Sequence, residues 1–309
     1  MSYLGVELLI LCYHKAMSFS VFNALIKTMR PKQWVKNTVI YAPLVFDRQL
    51  TDLDALLYTT AGFAIFCALS GLVYIINDIV DVEADRAHPK KRHRPIASGD
   101  LPIAVARIAA IFIAAIVLPL AFLLSPQFFI VALTYFVLNL LYSKWLKHIP
   151  LIDVLSIAAF FLLRVYAGVT LVDVTRFSPW LYVVMALGAL YIGFGKRRAE
   201  LALLADDANS HRRVLDGYTL PLLDQYITIV SAITIIAYGL YTFSAPNLPD
   251  NHLMMLTIPF VVYGIFRYLW LIQVEHSGGA PEDVLYSDHP LQITILLWGL
   301  LVLFIFYLF

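Results

Sequence analysis

The sequence predicts an all-α integral membrane protein with about nine transmembrane helices. Of its 309 residues, 61% are hydrophobic and only 14% are charged, whereas a soluble chain has about 45–50% apolar and about 25% charged residues. Several apolar stretches also lack the polar face that a soluble helical bundle requires. The formal net charge of +1 gives no electrostatic reason to expect nucleic acid as a partner.

Eight stretches approach the ~20 apolar residues that a helix needs to cross a bilayer. They are Ala55–Ile76, Pro102–Leu124, Pro126–Tyr142, Ile149–Val172, Pro179–Gly195, Leu222–Phe243, Leu253–Ile272 and Pro290–Phe309. A ninth stretch, Trp34–Phe46, is short and contains Pro43. We expect it to cross the membrane as the end of a longer helix that begins near Ser20.

Basic residues set the expected orientation, because lysine and arginine concentrate in cytoplasmic loops. One cluster precedes the ninth stretch and a second follows the next span, so both lie inside only if the ninth stretch crosses. The later clusters fit the same topology, while the outside loops hold only Arg48 and Arg176. The expected protein is therefore a multi-pass protein of the cell (inner) membrane, with its N-terminus inside and its C-terminus outside.

The first residues form a poor signal peptide, since they have no charged start and no clear cleavage site. Met17 opens a segment that resembles a true start. We therefore expect residues 1–16 to be a dispensable extension and residues 17–309 to form a single transmembrane domain.

The strongest chemical motif follows the first long span. Asp78, Asp81 and Asp85 are spaced i, i+3 and i+7, and Asn77 lies four residues before Asp81, so all four share one helical face. Carboxylates stacked in this way repel one another, and hard oxygen ligands suit Mg²⁺. Basic residues that suit phosphate follow at once: Lys90, Lys91, Arg92 and Arg94. The pattern predicts a magnesium-diphosphate site; the alternative is a solvated acidic helix end.

This motif carries a family resemblance. The string NDIVDVEADRAHPKKRHRPIASG resembles the first aspartate-rich motif of the UbiA superfamily of intramembrane prenyltransferases, and the resemblance covers nearly the whole chain. It implies a helical bundle around a central cavity, with a Mg²⁺-bound diphosphate at the cytoplasmic end and a lipid portal that opens sideways to the bilayer.

The chain departs from the superfamily at the second motif. Most members carry a second pair of aspartates after the sixth span, which is Pro179–Gly195 here when Trp34–Phe46 is counted first. This chain has Lys196, Arg197 and Arg198 at that position, followed by Glu200. Fewer carboxylates suggest less metal, and more cations suggest more phosphate to neutralise. The alternative is an ordinary basic flank of a membrane span.

Three further strings, RPKQWVKN, GKRRAEL and PEDVLYSDHPLQ, resemble a branch of the superfamily that transfers phosphoribose. That resemblance implies phosphoribosyl diphosphate as the donor, a polyprenyl phosphate as the acceptor, and membrane lipids around the protein; a homo-oligomer is compatible with it. Asp78, Asp81 and Asp85 would act in catalysis and, with Asn77, hold Mg²⁺. The expected substrate-binding residues are Lys36, Asn77, Arg92, Arg94, Tyr142, Lys144, Lys147, Arg164, Tyr191, Lys196, Arg197 and Glu200.

Two other functions compete with this interpretation. A prenyltransferase with an aromatic acceptor belongs to the same superfamily, but such an enzyme is expected to carry the acidic second motif. A transporter would be expected to show inverted repeats and charges at the membrane midplane, and no such repeat is visible in the sequence.

Overall fold

The computed structural model describes residues 20–89, 91–173, 178–204, 213–246, 248–249, 251–275 and 281–308, and all regular secondary structure in these ranges is helical. The all-α prediction is therefore confirmed. Residues 1–16, Lys90 and Arg176 lie outside the described ranges, so the expectations that concern them stay predictions.

Eight described helical stretches are long and apolar enough to cross a membrane, which confirms the eight predicted spans. The first seven long helices that build them are α3 (Leu53–Val80), α6 (Ile103–Leu124), α7 (Pro126–Lys144), α8 (Ile152–Val169), α9 (Pro179–Leu204), α10 (Leu220–Ser244) and α11 (Ile258–Gln273). A 3₁₀ segment, Leu253–Thr257, leads into α11, and α13 (His289–Leu308) is the last span.

The ninth predicted stretch is helical but broken. Helix α1 covers residues 20–29, a 3₁₀ segment covers Pro31–Tyr41, and α2 covers Ala42–Phe46. Arg30 separates the first two pieces and has a φ of 54°, which lies in the left-handed region that a non-glycine residue rarely adopts. The long helix expected from Ser20 therefore ends at this residue.

Short helical turns carry the charged residues between spans. Helices α4 (Val82–Ala87) and α5 (Pro95–Ser98) flank the 3₁₀ turn Lys91–His93, and α12 (Pro281–Ser287) precedes α13. The 3₁₀ turns Leu146–His148 and Arg213–Gly217 lie before α8 and α10.

The chain divides into two compact units, of which the first contains the residues up to Thr38 together with Ala61–Asn139. Its core includes an aromatic group in which the ring of Phe66 lies 5.8 Å from that of Phe128 and 5.0 Å from that of Tyr135. This packing joins α3 to α7.

The second unit contains Val39–Thr60 and Leu140–Phe309. Helices α8 and α9 approach closely, since a Cβ on Gly193 would lie 2.7 Å from Val154 Cγ1. Three polar side chains are linked by hydrogen bonds in this unit. Trp298 Nε1 donates to the Tyr238 hydroxyl at 2.8 Å, and that hydroxyl lies 2.6 Å from Thr257 Oγ1. The expectation of a single domain stays a prediction.

Candidate active site

The acidic motif lies where α3 ends and α4 begins. Asp78 is in the last turn of α3, Asp81 is the N-cap of α4, and Asp85 is within α4. The backbone continues almost helically through the junction, because Asp81 N donates to Asn77 O and Asp85 N donates to Asp81 O. Asp78 and Asp85 are each only 2% exposed, whereas Asp81 is half-buried.

Arg94 joins the two buried carboxylates. Its Nη1 atom donates to Asp78 Oδ1 at 3.1 Å and to Asp85 Oδ2 at 2.7 Å. Pro95 at the start of α5 favours the extended backbone seen at Arg94 (ψ 143°). The local sequence thus turns the guanidinium back toward α3, as the predicted proximity of acidic and basic residues requires.

Arg30 is a second partner of Asp78 that the sequence analysis missed. Its Nη2 atom donates to Asp78 Oδ1 at 2.5 Å, and its guanidinium carbon lies 4.5 Å from the centre of the Tyr74 ring. The signal in the sequence is the string RPKQWVKN, where Arg30 belongs to the basic cluster that precedes Trp34–Phe46 and there indicates only topology. Its left-handed backbone is a form of local strain that tends to occur at functional sites.

The carboxylates of Asp78 and Asp85 fit a magnesium ion that is also held by substrate phosphates. Within the described ranges, no group of three or more His, Cys, Asp or Glu side chains is arranged as a ready metal site. However, one oxygen of Asp78 and one of Asp85 contact the same nitrogen of Arg94, so a single cation can reach both. Mg²⁺ is usually held by one or two carboxylates together with substrate phosphates, and this donor set suits that arrangement.

The other predicted residues of the first unit lie at varying depths. Asn77 and Lys36 are half-buried, and Arg92 is exposed on the turn that also carries Arg94. Asn37, next to Lys36, is fully buried and donates to Ser70 Oγ at 3.2 Å, which holds the 3₁₀ segment against α3.

A second charged cluster lies in the second unit at the position of the basic motif. Arg197 is 1% exposed and Asp153 is 0% exposed, and Arg197 Nε donates to Asp153 Oδ2 at 2.6 Å. Arg197 Nη1 also donates to Glu200, and the Tyr218 hydroxyl donates to Asp153 Oδ1 at 2.8 Å. Burial is the main cause that raises the pKa of Tyr218 above its usual value.

Arg197 already has two carboxylate partners in this structure. Its guanidinium lies between the carboxylates of Asp153 and Glu200, and its expected role in binding substrate stays a prediction. Lys196 is half-buried, and the Glu200 side chain is 24% exposed. Asp153, which the sequence analysis missed, was visible as a carboxylate in the first turn of an apolar span, a position that is costly without a partner.

The remaining candidates divide into surface and interior groups. Lys144 is exposed, with its Nζ 4.6 Å from the centre of the Trp145 ring, and Lys147 is half-buried on the following turn. Tyr142 packs edge to face on Phe160 with ring centres 5.5 Å apart.

Two interior candidates make backbone hydrogen bonds. Arg164 is 7% exposed and donates to Phe160 O at 2.9 Å. Tyr191 is 5% exposed and donates to Ile265 O at 2.6 Å, so it links α9 to α11.

Two decaprenyl-phosphate phosphoribosyltransferases resemble this chain over most of its length. A decaprenyl-phosphate phosphoribosyltransferase from Mycolicibacterium smegmatis is 35% identical over 297 residues, which cover 90% of this chain and 91% of that protein. One from Mycobacterium tuberculosis is 33% identical over 278 residues, covering 88% and 91%.

Solved structures show the same fold. A UbiA homolog from Archaeoglobus fulgidus bound to GPP and Mg²⁺ superposes with a TM-score of 0.70 at 19% identity, over 92% of this chain and 99% of that one. A digeranylgeranylglyceryl phosphate synthase gives a TM-score of 0.64 at 16% identity, over 94% and 99%. Residues 38–282 match the UbiA prenyltransferase family, and the chain belongs to that family.

Proposed function

We propose that this protein transfers 5-phosphoribose from phosphoribosyl diphosphate to a polyprenyl phosphate in the membrane. The observation that carries the proposal is the similarity at 33–35% identity to decaprenyl-phosphate phosphoribosyltransferases, which extends over about nine-tenths of both chains.

The first unit binds the diphosphate of the donor in this proposal. Asp78 and Asp85, with Asn77 and Asp81 at the same junction, would hold Mg²⁺, which would supply positive charge for the leaving diphosphate. Arg94 and Arg30 contact the same carboxylates. The guanidinium groups of Arg30 and Arg94 would offer the phosphate oxygens of the donor a planar fork of N–H donors.

The reaction itself needs no general base. An oxygen of the acceptor phosphate attacks the anomeric carbon of ribose, the bond from that carbon to the diphosphate oxygen breaks, and the diphosphate departs with the electron pair. An ionised phosphate is already nucleophilic, so the protein's tasks are to orient two anionic groups and to stabilise the charge on the leaving group.

The second unit serves the lipid acceptor. Lys144, Lys147 and Lys196 supply positive charge for the phosphate of the acceptor. Arg164 and Tyr191 are buried side chains of this unit, and Tyr142 packs on Phe160. Asp153 and Arg197 fix α8 to α9 and thereby hold Lys196 in place. We expect both charged motifs to lie on the cytoplasmic side of the cell membrane, because lysine and arginine concentrate in cytoplasmic loops.

A donor and acceptor matrix tests the proposal. Purified protein with Mg²⁺ receives either ribose-labelled phosphoribosyl diphosphate with a polyprenyl phosphate, or a labelled prenyl diphosphate with an aromatic acceptor. The proposal expects labelled lipid from the first pair only. Product from the second pair alone would instead assign the protein to the aromatic-acceptor prenyltransferases.

A further inference from the structure

The segment that leads into α10 is buried against the turn that precedes α8. Val214, Leu215 and Tyr218 are all buried. A Cβ on Gly217 would lie 2.3 Å from Pro150 Cγ, so glycine is required at this position unless the proline ring shifts. The segment before α10 therefore packs closely on the connection between α7 and α8.

That connection has a strained backbone at Leu151. Its φ is 66° and its ψ is −45°, and Ile152 N donates to Pro150 O at 2.8 Å, which is the geometry of the rare γ-turn with a positive φ. A leucine keeps such a conformation only where the surrounding structure holds it. The Leu151 side chain is 41% exposed, so its packing contributes little to holding the turn.

The hydroxyl of Tyr218 makes two contacts that hold this turn. It accepts a hydrogen bond from Leu151 N at 2.6 Å, and it donates one to Asp153 Oδ1 at 2.8 Å. A single oxygen atom thus contacts both the strained residue and the first turn of α8. Removing this oxygen would take an acceptor from the Leu151 N–H and a donor from a buried carboxylate, and both losses are costly.

The same hydroxyl connects the two elements that carry lysines expected at the acceptor phosphate. Lys147 lies on the 3₁₀ turn, four residues before Leu151. Lys196 lies on α9 next to Arg197, whose Nε donates to the other oxygen of Asp153 at 2.6 Å. A chain of hydrogen bonds therefore runs from the turn to α9 through the tyrosine and the aspartate.

We propose that Tyr218 is a positioning residue for the lipid-phosphate acceptor, because its hydroxyl holds the turn with Lys147 in place relative to the helix with Lys196. The inference rests on the proposed function, since that function assigns the two lysines to the acceptor. Two cations on separate elements bind one phosphate tightly only when their spacing is set before the phosphate arrives. Tyr218 acts on the substrate through these lysines.

Tyr218→Phe removes the hydroxyl and keeps the ring, so it separates hydrogen bonding from packing. Tyr238→Phe is the matched control, because the buried Tyr238 hydroxyl also has two partners: it lies 2.6 Å from Thr257 Oγ1 and accepts from Trp298 Nε1 at 2.8 Å. Steady-state rates are measured with phosphoribosyl diphosphate and decaprenyl phosphate. Hydrogen exchange of the peptide that spans residues 146–153 reports on the turn directly.

In Tyr218→Phe, the KM for decaprenyl phosphate should rise by about tenfold, which is the scale of one lost hydrogen bond. The KM for phosphoribosyl diphosphate should stay at the wild-type value, and exchange in residues 146–153 should become faster. Tyr238→Phe should lose similar thermal stability but change neither KM nor this exchange. An unchanged KM for decaprenyl phosphate in Tyr218→Phe, or an equal rise in Tyr238→Phe, would overturn the inference.

A second substitution tests the route of the effect. Leu151→Gly in the Tyr218→Phe background should restore part of the lost affinity for decaprenyl phosphate, since glycine adopts a positive φ without strain. A double variant whose KM is no lower than that of Tyr218→Phe would show that the turn is not the route, and it would overturn the inference. If wild-type protein transfers no phosphoribose to decaprenyl phosphate, the proposed function itself fails, and the positioning role for this acceptor fails with it.

Discussion

The Nε atom of Arg197 lies 2.6 Å from Asp153 Oδ2, and both residues are almost completely removed from solvent. Two oppositely charged groups in such a place stabilise each other but are costly to separate, because removing one leaves the other buried without its opposite charge at that contact, although Arg197 keeps Glu200 and Asp153 keeps the Tyr218 hydroxyl. The pair joins the start of α8 to α9 across a sequence separation of 44 residues, so it acts as an internal clamp between two membrane spans.

Breaking this pair should destabilise the protein strongly. Asp153→Asn and Arg197→Met are each expected to lower the free energy of unfolding by about 3–5 kcal/mol, as measured by denaturation in detergent. The double variant should lose clearly less than the sum of the two single losses, because neither charge is then left alone. Simple additivity would show that the two side chains do not interact in solution.

Asp78→Ala should abolish most of the transferase activity while the protein remains folded. The substitution removes a carboxylate that contacts both Arg30 and Arg94 and, in our proposal, a magnesium ligand. We expect turnover at saturating Mg²⁺ to fall by roughly 10²–10³-fold, the scale of lost electrostatic stabilisation in an active site. Glu83→Ala is the matched control, because the Glu83 side chain is 80% exposed and pairs only with its neighbour Arg86 among the ion pairs of the described chain. Equal turnover in Asp78→Ala and Glu83→Ala would remove the metal role from Asp78.

Arg30→Lys should raise the KM for phosphoribosyl diphosphate while leaving membrane insertion unchanged. Lysine keeps the positive charge that topology depends on, but it lacks the planar fork that lets arginine bind a phosphate through two parallel bonds. Arg86→Lys, which makes the same chemical change on an exposed turn, provides the control. A KM for the donor that is identical in Arg30→Lys and in wild-type protein would restrict Arg30 to a topological role.

The contact between Gly168 and the backbone of Ile40 should be intolerant of any side chain. A Cβ on Gly168 would lie 2.1 Å from the carbonyl oxygen of Ile40, whereas a Cβ on Gly188 would have no heavy atom within 4 Å. Gly168→Ala is therefore expected to cost at least about 1–3 kcal/mol of stability, and Gly188→Ala should be neutral or stabilising by about 0.5–1 kcal/mol because alanine favours a helix. Thermal unfolding of the two variants side by side measures the difference; similar midpoints would contradict the close approach.

Acid should weaken the contact between α11 and the start of α13. Hydrogen bonding from Arg267 is the main cause that lowers the pKa of Asp288 below its usual range. A lowered carboxyl pKa contributes stability that is present above the unfolded value of about 3.9 and is lost as the pH falls through the folded pKa. Wild-type protein should therefore lose more stability between neutral and strongly acidic pH than Asp288→Asn does. Parallel curves of midpoint temperature against pH would contradict this assignment.

The membrane spans could be predicted from sequence because their cause is local. Each span is a continuous apolar stretch of sufficient length, and eight such stretches became membrane-spanning helices. The start of the chain was predicted less well: basic residues indicated a crossing, but the break at Arg30 depends on a left-handed backbone and a contact with Asp78 that hydropathy does not register.

In the candidate site, too, residues that are close in sequence could be predicted, whereas contacts between distant residues could not. The acidic motif was visible because its members lie within eight consecutive positions, and the approach of Arg94 followed from a short turn. Arg30 and Asp153 were missed because their partners lie 48 and 44 residues away, and a single sequence does not encode which distant charges meet. Arg197 was identified as functional for its charge, yet only the fold shows that two carboxylates already surround it.

The central claim is best tested by following two labels through one reaction. Phosphoribosyl diphosphate labelled in the ribose and, separately, in the diphosphate is incubated with polyprenyl phosphate, Mg²⁺ and purified protein. The account predicts that the ribose label enters the lipid in a one-to-one ratio with free labelled diphosphate, and that chelation of Mg²⁺ stops both. Diphosphate release without labelled lipid, or labelled lipid that retains the diphosphate, would contradict it.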